Sequence, residues 1–160
     1  MMENAEKIAL KHRLKRWALD TIGERITASR AAIDQAQQAA NQEEKSSAGD
    51  KYETGRAMGH LQKDMHARAL AESIKELATL HAVKTDTLYT APGPGAFVRA
   101  EGRGEGMAIF IAAGLGKQQW EGQTIFFLSP IAPLARALHE KKPGDSVVFN
   151  GAPILILEIF

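Results

Sequence analysis

The sequence predicts an α+β protein: an N-terminal long antiparallel α-helical hairpin of coiled-coil type, then a small antiparallel β domain with one short helix. Three observations predict it. Residues 3–82 contain no proline and only four glycines, Gly23, Gly49, Gly55 and Gly59, among many good helix formers. Residues 83–160 hold all six prolines, ten of the fourteen glycines and all six phenylalanines. A heptad seam runs through the first half and breaks once, at a polar stretch. The division falls near Val83–Asp86, giving a hairpin over 1–82 and a β domain over 83–160.

The first helix carries Leu19, Ile22, Ile26, Ser29, Ile33, Ala36 and Ala40 at alternating spacings of three and four, which places them on one stripe. Ile8, Leu10, Leu14 and Trp17 extend its apolar face upstream. A helix from Leu14 to Ala40 is roughly 40 Å long. The stretch Asn41–Asp50, NQEEKSSAGD, is polar and turn-like, so the tip is expected near 43–53. Periodicity then resumes with Ala57, Met58, Leu61, Met65 and Ala69, followed by Leu70, Ile74, Leu77 and Leu80. Two helices folding back through a short tip is the simplest reading. Gly55 and Gly59 weaken the first turns of the returning helix.

The second half reads as five or so strands. Phe97–Ala100, Met107–Ala112 and Thr124–Leu128 are short apolar or alternating runs. Ser146–Phe149 and Ile154–Ile159 flank Asn150-Gly151, a strong hairpin signal. A helix near Pro133–His139 interrupts them and gives way to Lys141-Lys142-Pro143-Gly144-Asp145, a turn sequence. Gly102–Gly106, GRGEG, is a turn between strands rather than a phosphate loop, because no helix pattern follows it. Ala91–Gly95, APGPG, is a rigid loop. Trp120 and the Phe126-Phe127 pair belong to the core or to a domain interface.

Composition excludes several chemistries. Lys plus Arg number 20 and Asp plus Glu 19, so bulk charge announces neither a nucleic-acid nor a membrane-surface protein. The absence of cysteine removes disulfides, thiolate zinc sites and thiolate nucleophiles. No apolar run approaches the ~18 residues of a membrane span, and the charge-mixed N-terminus is unlike a signal peptide. A soluble, cytoplasmic protein is expected. The five histidines are dispersed, and His60 and His66 are poorly spaced for a shared metal. No Ser/His/Asp triad can be argued. The basic stretch Lys11, Arg13, Lys15 and Arg16, and the group Arg56, Lys63 and Arg68, suit an ordinary solvated face better than phosphate contact.

Asp50 and Glu53 are the residues most open to a chemical reading. At i and i+3 where a helix begins, two carboxylates share one face. Such a pair can offer one or two oxygens to Mg²⁺, with water or another molecule's carboxylates completing the octahedron. The same spacing also makes a capping box, in which Asp50 accepts from the N3 amide and Glu53 reaches back to the N-cap amide. Both readings stand on spacing alone. Glu43 and Glu44 add nearby acidity and are read as solvated.

The C-terminal stretch APLARALHEKKPGDSVVFNGAPILILEI resembles the signature of the bacterial Gre transcript-cleavage factors. Pro133, Leu138, Lys141, Lys142, Gly144 and Asp145 fall at that family's spacing, with Ala132 where the family usually has serine. The tip agrees: Gly49-Asp50-Lys51-Tyr52-Glu53 matches the family's Gly-Asp-x-x-Glu, followed by Thr54 where asparagine is common. The resemblance, to a divergent member, implies an FKBP-like C-terminal domain docking at the rim of RNA polymerase's secondary channel. It implies a hairpin that enters the channel and presents Asp50 and Glu53 to the polymerase's second Mg²⁺, aiding hydrolysis of backtracked transcript. The protein then has no activity or cofactor of its own, and contacts transcript RNA at most indirectly. Relatives of this shape also bind the channel without promoting cleavage, and Tyr52, Thr54 and the Ser46–Gly49 segment leave that alternative open. A prolyl isomerase or chaperone is a third reading. It needs an aromatic-lined pocket, for which Trp120, Phe126, Phe127 and Phe149 are the candidates.

Overall fold

The computed structural model describes residues 1–45 and 49–160, with the side chains of 43–52 outside the description. Two long helices come first, α1 (Asn4–Lys45) and α2 (Gly49–Ala82). Six strands follow: β1 (Phe97–Gly102), β2 (Glu105–Ile111), β3 (Gly116–Trp120), β4 (Gln123–Leu128), β5 (Ser146–Phe149) and β6 (Ala152–Ile159). A short helix, α3 (Pro133–Leu138), lies between β4 and β5. The chain divides into two compact units, one of Met1–Leu19 with Thr79–Phe160, the other of Asp20–Ala78.

The first unit is built on one sheet, ordered β3-β4-β2-β1-β6-β5. All neighbouring pairs are antiparallel except β2 with β4, which are parallel. The sheet therefore has six strands where the sequence predicts about five, and it is not wholly antiparallel. The extra strand is β3, GKQQW, which lies at the sheet's edge with its first four residues exposed or half-buried. It lacks the apolar alternation that betrays a half-buried strand.

Three hairpins close on two-residue turns with both residues at positive φ: Arg103-Gly104 (54° and 76°), Glu121-Gly122 (46° and 77°) and Asn150-Gly151 (51° and 75°). This backbone twist matches that of the flanking strands, which is why such turns dominate tight hairpins. The first of them settles GRGEG as a turn between β1 and β2.

Helix packs on part of each face of the sheet. On one, Leu134, Ala135 and Leu138 of α3 pack on Val98, Ala100, Ile109, Ile111, Ile154 and Ile156. On the other, Phe97 stacks on Phe160 with ring centroids 4.9 Å apart, and Phe110 meets Phe127 edge-on at 6.0 Å. Trp17 of α1 closes over Phe127 at 5.1 Å, beside the buried Leu10 and Leu14. Each fully buried aromatic contributes roughly 1.5–3 kcal/mol by leaving water, so the opening turns of α1 are part of this core. Trp120 and Phe127 are buried and Phe126 is half-buried, in keeping with the core reading.

In the second unit α1 and α2 run antiparallel. Lys63 donates to the Gln37 amide oxygen at 2.6 Å, and a Cβ on Gly59 would rest 3.7 Å from that of Ala40. The α1 seam is as the sequence predicts: Ile22, Ile26 and Ala36 are buried, and Ser29, Ile33 and Ala40 half-buried. Helix α1 persists to Lys45, through residues 41–45 that the polar pattern assigns to the tip.

The returning seam differs from its sequence reading. Met58, Leu61 and Met65 are 57%, 62% and 62% exposed, Ile74 is 45% exposed, and Ala57 and Ala69 are exposed. The inward stripe begins instead with Gly55, Gly59, Lys63 and His66, then runs through Leu70, Ser73 and Leu77, all half-buried, to the buried Leu80, so Leu70, Leu77 and Leu80 face inward as the sequence predicts. Those positions follow the same three-and-four spacing. Gly59 lies opposite the small Ala40, and Lys63 bonds Gln37 across the pair. In the first half of α2 a period taken from large apolar residues alone therefore selects the outer face.

Candidate functional site

Helix α2 opens at Gly49, so Asp50 and Glu53 both fall in its first turns, i and i+3 on one face. The helix dipole favours carboxylates there. Glu53 is exposed, and among the described residues no cation lies in salt-bridge contact with it. The Asp50 side chain lies outside the described residues. So do the side chains of Glu43, Glu44 and Tyr52, and the whole of Ser46–Ala48. Among the described residues no three His, Asp or Glu side chains gather as a metal cluster. Two carboxylates supply at most part of the octahedral shell that Mg²⁺ demands.

The basic stretch of α1 is not the solvated face that the sequence suggests. Lys11 is wholly buried, its Nζ donating to the Thr87 carbonyl and lying 4.7 Å from the centre of the Tyr89 ring. Burial lowers its pKa to about 8, against the opposing pull of the Asp86 carboxylate. Lys15 Nζ donates to the carbonyls of His81 (3.1 Å) and Val83 (2.6 Å), capping the C-terminus of α2, where a cation is favoured. Arg13 reaches both Glu121 oxygens at 2.7 Å and lies over Trp120, 5.1 Å from its ring centre. His12 Nδ1 shares a 2.7 Å hydrogen bond with the buried Thr85 hydroxyl. Lys11 and Lys15 fasten α1 to the end of α2 and the segment after it, the exposed Arg13 reaches the β3–β4 turn, and Arg16 is an exposed cation with no partner among the bonds described. Sequence reasoning missed this because carbonyl acceptors carry no side-chain signal.

The APGPG loop acquires a role. Gly95 stands at φ +92°, and a Cβ there would collide with the Lys84 carbonyl and press on the Tyr89 ring. Its amide donates to the Ile111 carbonyl at 2.7 Å, which fixes Pro92, Gly93 and Pro94 as one wall of a cavity of about 280 Å³. Ile111, Pro130 and Ala135 continue the lining, and Arg136 and His139 make its polar edge. No Phe, Tyr or Trp lines this cavity, so the four aromatic residues expected for an isomerase pocket do not form it. Arg136 and His139 were not foreseen. Their i, i+3 spacing, Arg136 on α3 and His139 just past its end, was the available signal.

Hairpin and sheet together define a class: proteins that pair two long helices with a mostly antiparallel β unit, the architecture that the resemblance to the Gre family implies. No protein-family model matches the chain, and no curated protein matches it. Among solved structures it is similar to GreA factor homolog 1 (Gfh1) of Thermus thermophilus, at 16% identity over 89% of this chain and 94% of that one, with a TM-score of 0.36. A structure of the transcription factor Gfh1 aligns at 15% identity over 88% and 92%, with a TM-score of 0.38. The Gfh1 of Thermus aquaticus aligns at 16% identity over 88% and 92%, with a TM-score of 0.33.

Proposed function

We propose that this protein is a Gre-like transcription factor that binds RNA polymerase through its secondary channel and lends Asp50 and Glu53 to the polymerase's own cleavage of backtracked transcript. One observation carries the reading: the two acids share the first turns of α2, at the loop end of a helical hairpin, with Glu53 exposed. The Gly49–Glu53 and Pro133–Asp145 motifs support it independently. The acids offer oxygens to a metal that the polymerase supplies, and they orient water beside it. The cavity edged by Arg136 and His139 offers the β unit a basic grip on an acidic protein segment. Thr54, in place of the usual asparagine, favours a second reading, a channel-binding regulator that does not promote cleavage.

The test is transcript cleavage by a backtracked cognate polymerase with the protein added. Asp50→Asn and Glu53→Gln each lower the stimulation roughly 10–100-fold, while polymerase affinity is retained. Binding by the unsubstituted protein without stimulation selects the second reading.

A further inference from the structure

The cavity of the β unit is walled by rigid pieces. Pro92, Gly93, Pro94 and Pro130 line it, and Ile111 of β2 and Ala135 of α3 complete its apolar surface. Such a bowl is formed before anything enters it. Proline fixes its own φ, and the Gly95 amide ties the loop to the Ile111 carbonyl at 2.7 Å. The Ile111 amide returns a bond to the Ala96 carbonyl at 3.0 Å, and the Ala96 amide closes on the Gly93 carbonyl at 2.9 Å. Loop and strand are thus bonded in both directions, so a guest orders little of the wall on binding.

At the polar edge Arg136 and His139 are exposed, and neither side chain has a partner among the bonds described. Among the described residues no acidic side chain lines the cavity. Elsewhere in the same unit Lys7 is paired with Glu158 and Arg13 with Glu121. An apolar bowl with a few convergent polar groups is the usual form of a small-ligand site.

We infer that this cavity binds a small aromatic carboxylate. The site stands on its own geometry and needs no polymerase. Proline faces pack well on aromatic rings, and the lining holds no aromatic ring of its own. The Arg136 guanidinium is a planar fork that meets a carboxylate with two parallel hydrogen bonds, and a His139 ring N–H supplies another donor. The volume, about 280 Å³, lies just under the roughly 300–1,000 Å³ of typical ligand pockets. That admits a fused pair of rings with a short acidic arm, and excludes a run of several residues.

The probe is naphthoate, followed through the amide shifts of the isotope-labelled full chain. Naphthamide serves as the uncharged isostere, and acetate as the charge without the ring. The expected result is saturable binding with Kd on the order of 1 mM, with shifts centred on Gly93, Gly95, Ile111, Ala135, Arg136 and His139. Naphthamide and acetate bind about tenfold more weakly. Arg136→Gln replaces an exposed side chain, so circular dichroism should show an unchanged fold, while naphthoate affinity falls about fivefold and naphthamide affinity stays the same. Equal affinity for naphthoate and naphthamide overturns the carboxylate assignment. No saturable shift up to roughly 10 mM, or unchanged naphthoate affinity in Arg136→Gln, overturns the site. Tighter binding of an acidic phenylalanine-containing peptide than of naphthoate assigns the cavity to a protein segment and overturns the inference. All these outcomes leave the polymerase reading to its own transcript-cleavage test.

Discussion

Lys11 gives the folded protein a definite pH signature. Its ammonium titrates near 10.5 when unfolded and near about 8 when buried against Thr87 and Tyr89. Between those values the unfolded chain holds the extra proton, so this group makes stability rise with pH from about 8 to 10.5. Below about 8 the charge is carried in both states, and its burial cost is felt in full. Lys11→Met removes the slope. Thermal melts across pH 7–10.5 should show the native protein gaining on the variant as pH rises, and parallel curves would refute the assignment. Gly95 gives a sharper stability test. Alanine there incurs about 1–2 kcal/mol for the left-handed backbone alone, and the collision with the Lys84 carbonyl adds to it. Gly95→Ala should therefore lower the denaturant midpoint clearly, whereas Gly104→Ala, with open space around it, should show the backbone cost only.

At the scale of single elements, α3 begins without a side-chain cap. Ala132 occupies the N-cap, with extended backbone at φ −63° and ψ 149°, and its methyl accepts nothing. Ala132→Ser should stabilise the protein by about 1 kcal/mol, seen as a rise of a few degrees in Tm. In α2, Gly59→Ala should stabilise by about 0.5–1 kcal/mol, because the added methyl meets Ala40 at ordinary contact distance and helix propensity improves. A destabilised Gly59→Ala would show that the two helices lie closer at this point than a 3.7 Å contact allows. These two cases also show what the sequence could reveal. The α1 seam was legible because Leu19, Ile22, Ile26 and Ile33 mark it, with only small residues between and beyond them. The α2 seam was legible only toward its end, at Leu70, Leu77 and Leu80, because its first half is Gly55, Gly59, Lys63 and His66, which leave no hydrophobic period. Strand β5, β6 and their Asn-Gly turn were legible from local chemistry alone. Strand β3 was illegible, because an edge strand of Gly, Lys and Gln takes its shape from β4 through backbone bonds. The acids at the tip were legible as a pair. The cavity was not, because Pro92 and Arg136 meet only through the fold.

For the molecule as a whole, near-neutral charge and the internal use of Lys11, Arg13 and Lys15 leave little to attract phosphate. The protein should show no binding to naked RNA or DNA below roughly 100 μM at physiological salt, measured by fluorescence anisotropy. A salt-sensitive affinity tighter than that would mean that a basic surface has been overlooked.

The first compact unit is assembled from Met1–Leu19 and Thr79–Phe160, with the whole second unit inserted between them. Its aromatic core closes only when Trp17 meets Phe127, a loop closure over more than a hundred residues. During vectorial synthesis the apolar side of the opening helix, Leu10, Leu14 and Trp17, emerges first and waits for its sheet until nearly the entire chain has been made. The nascent protein therefore carries an uncovered hydrophobic segment through most of translation, and it is there that a chaperone has most to protect.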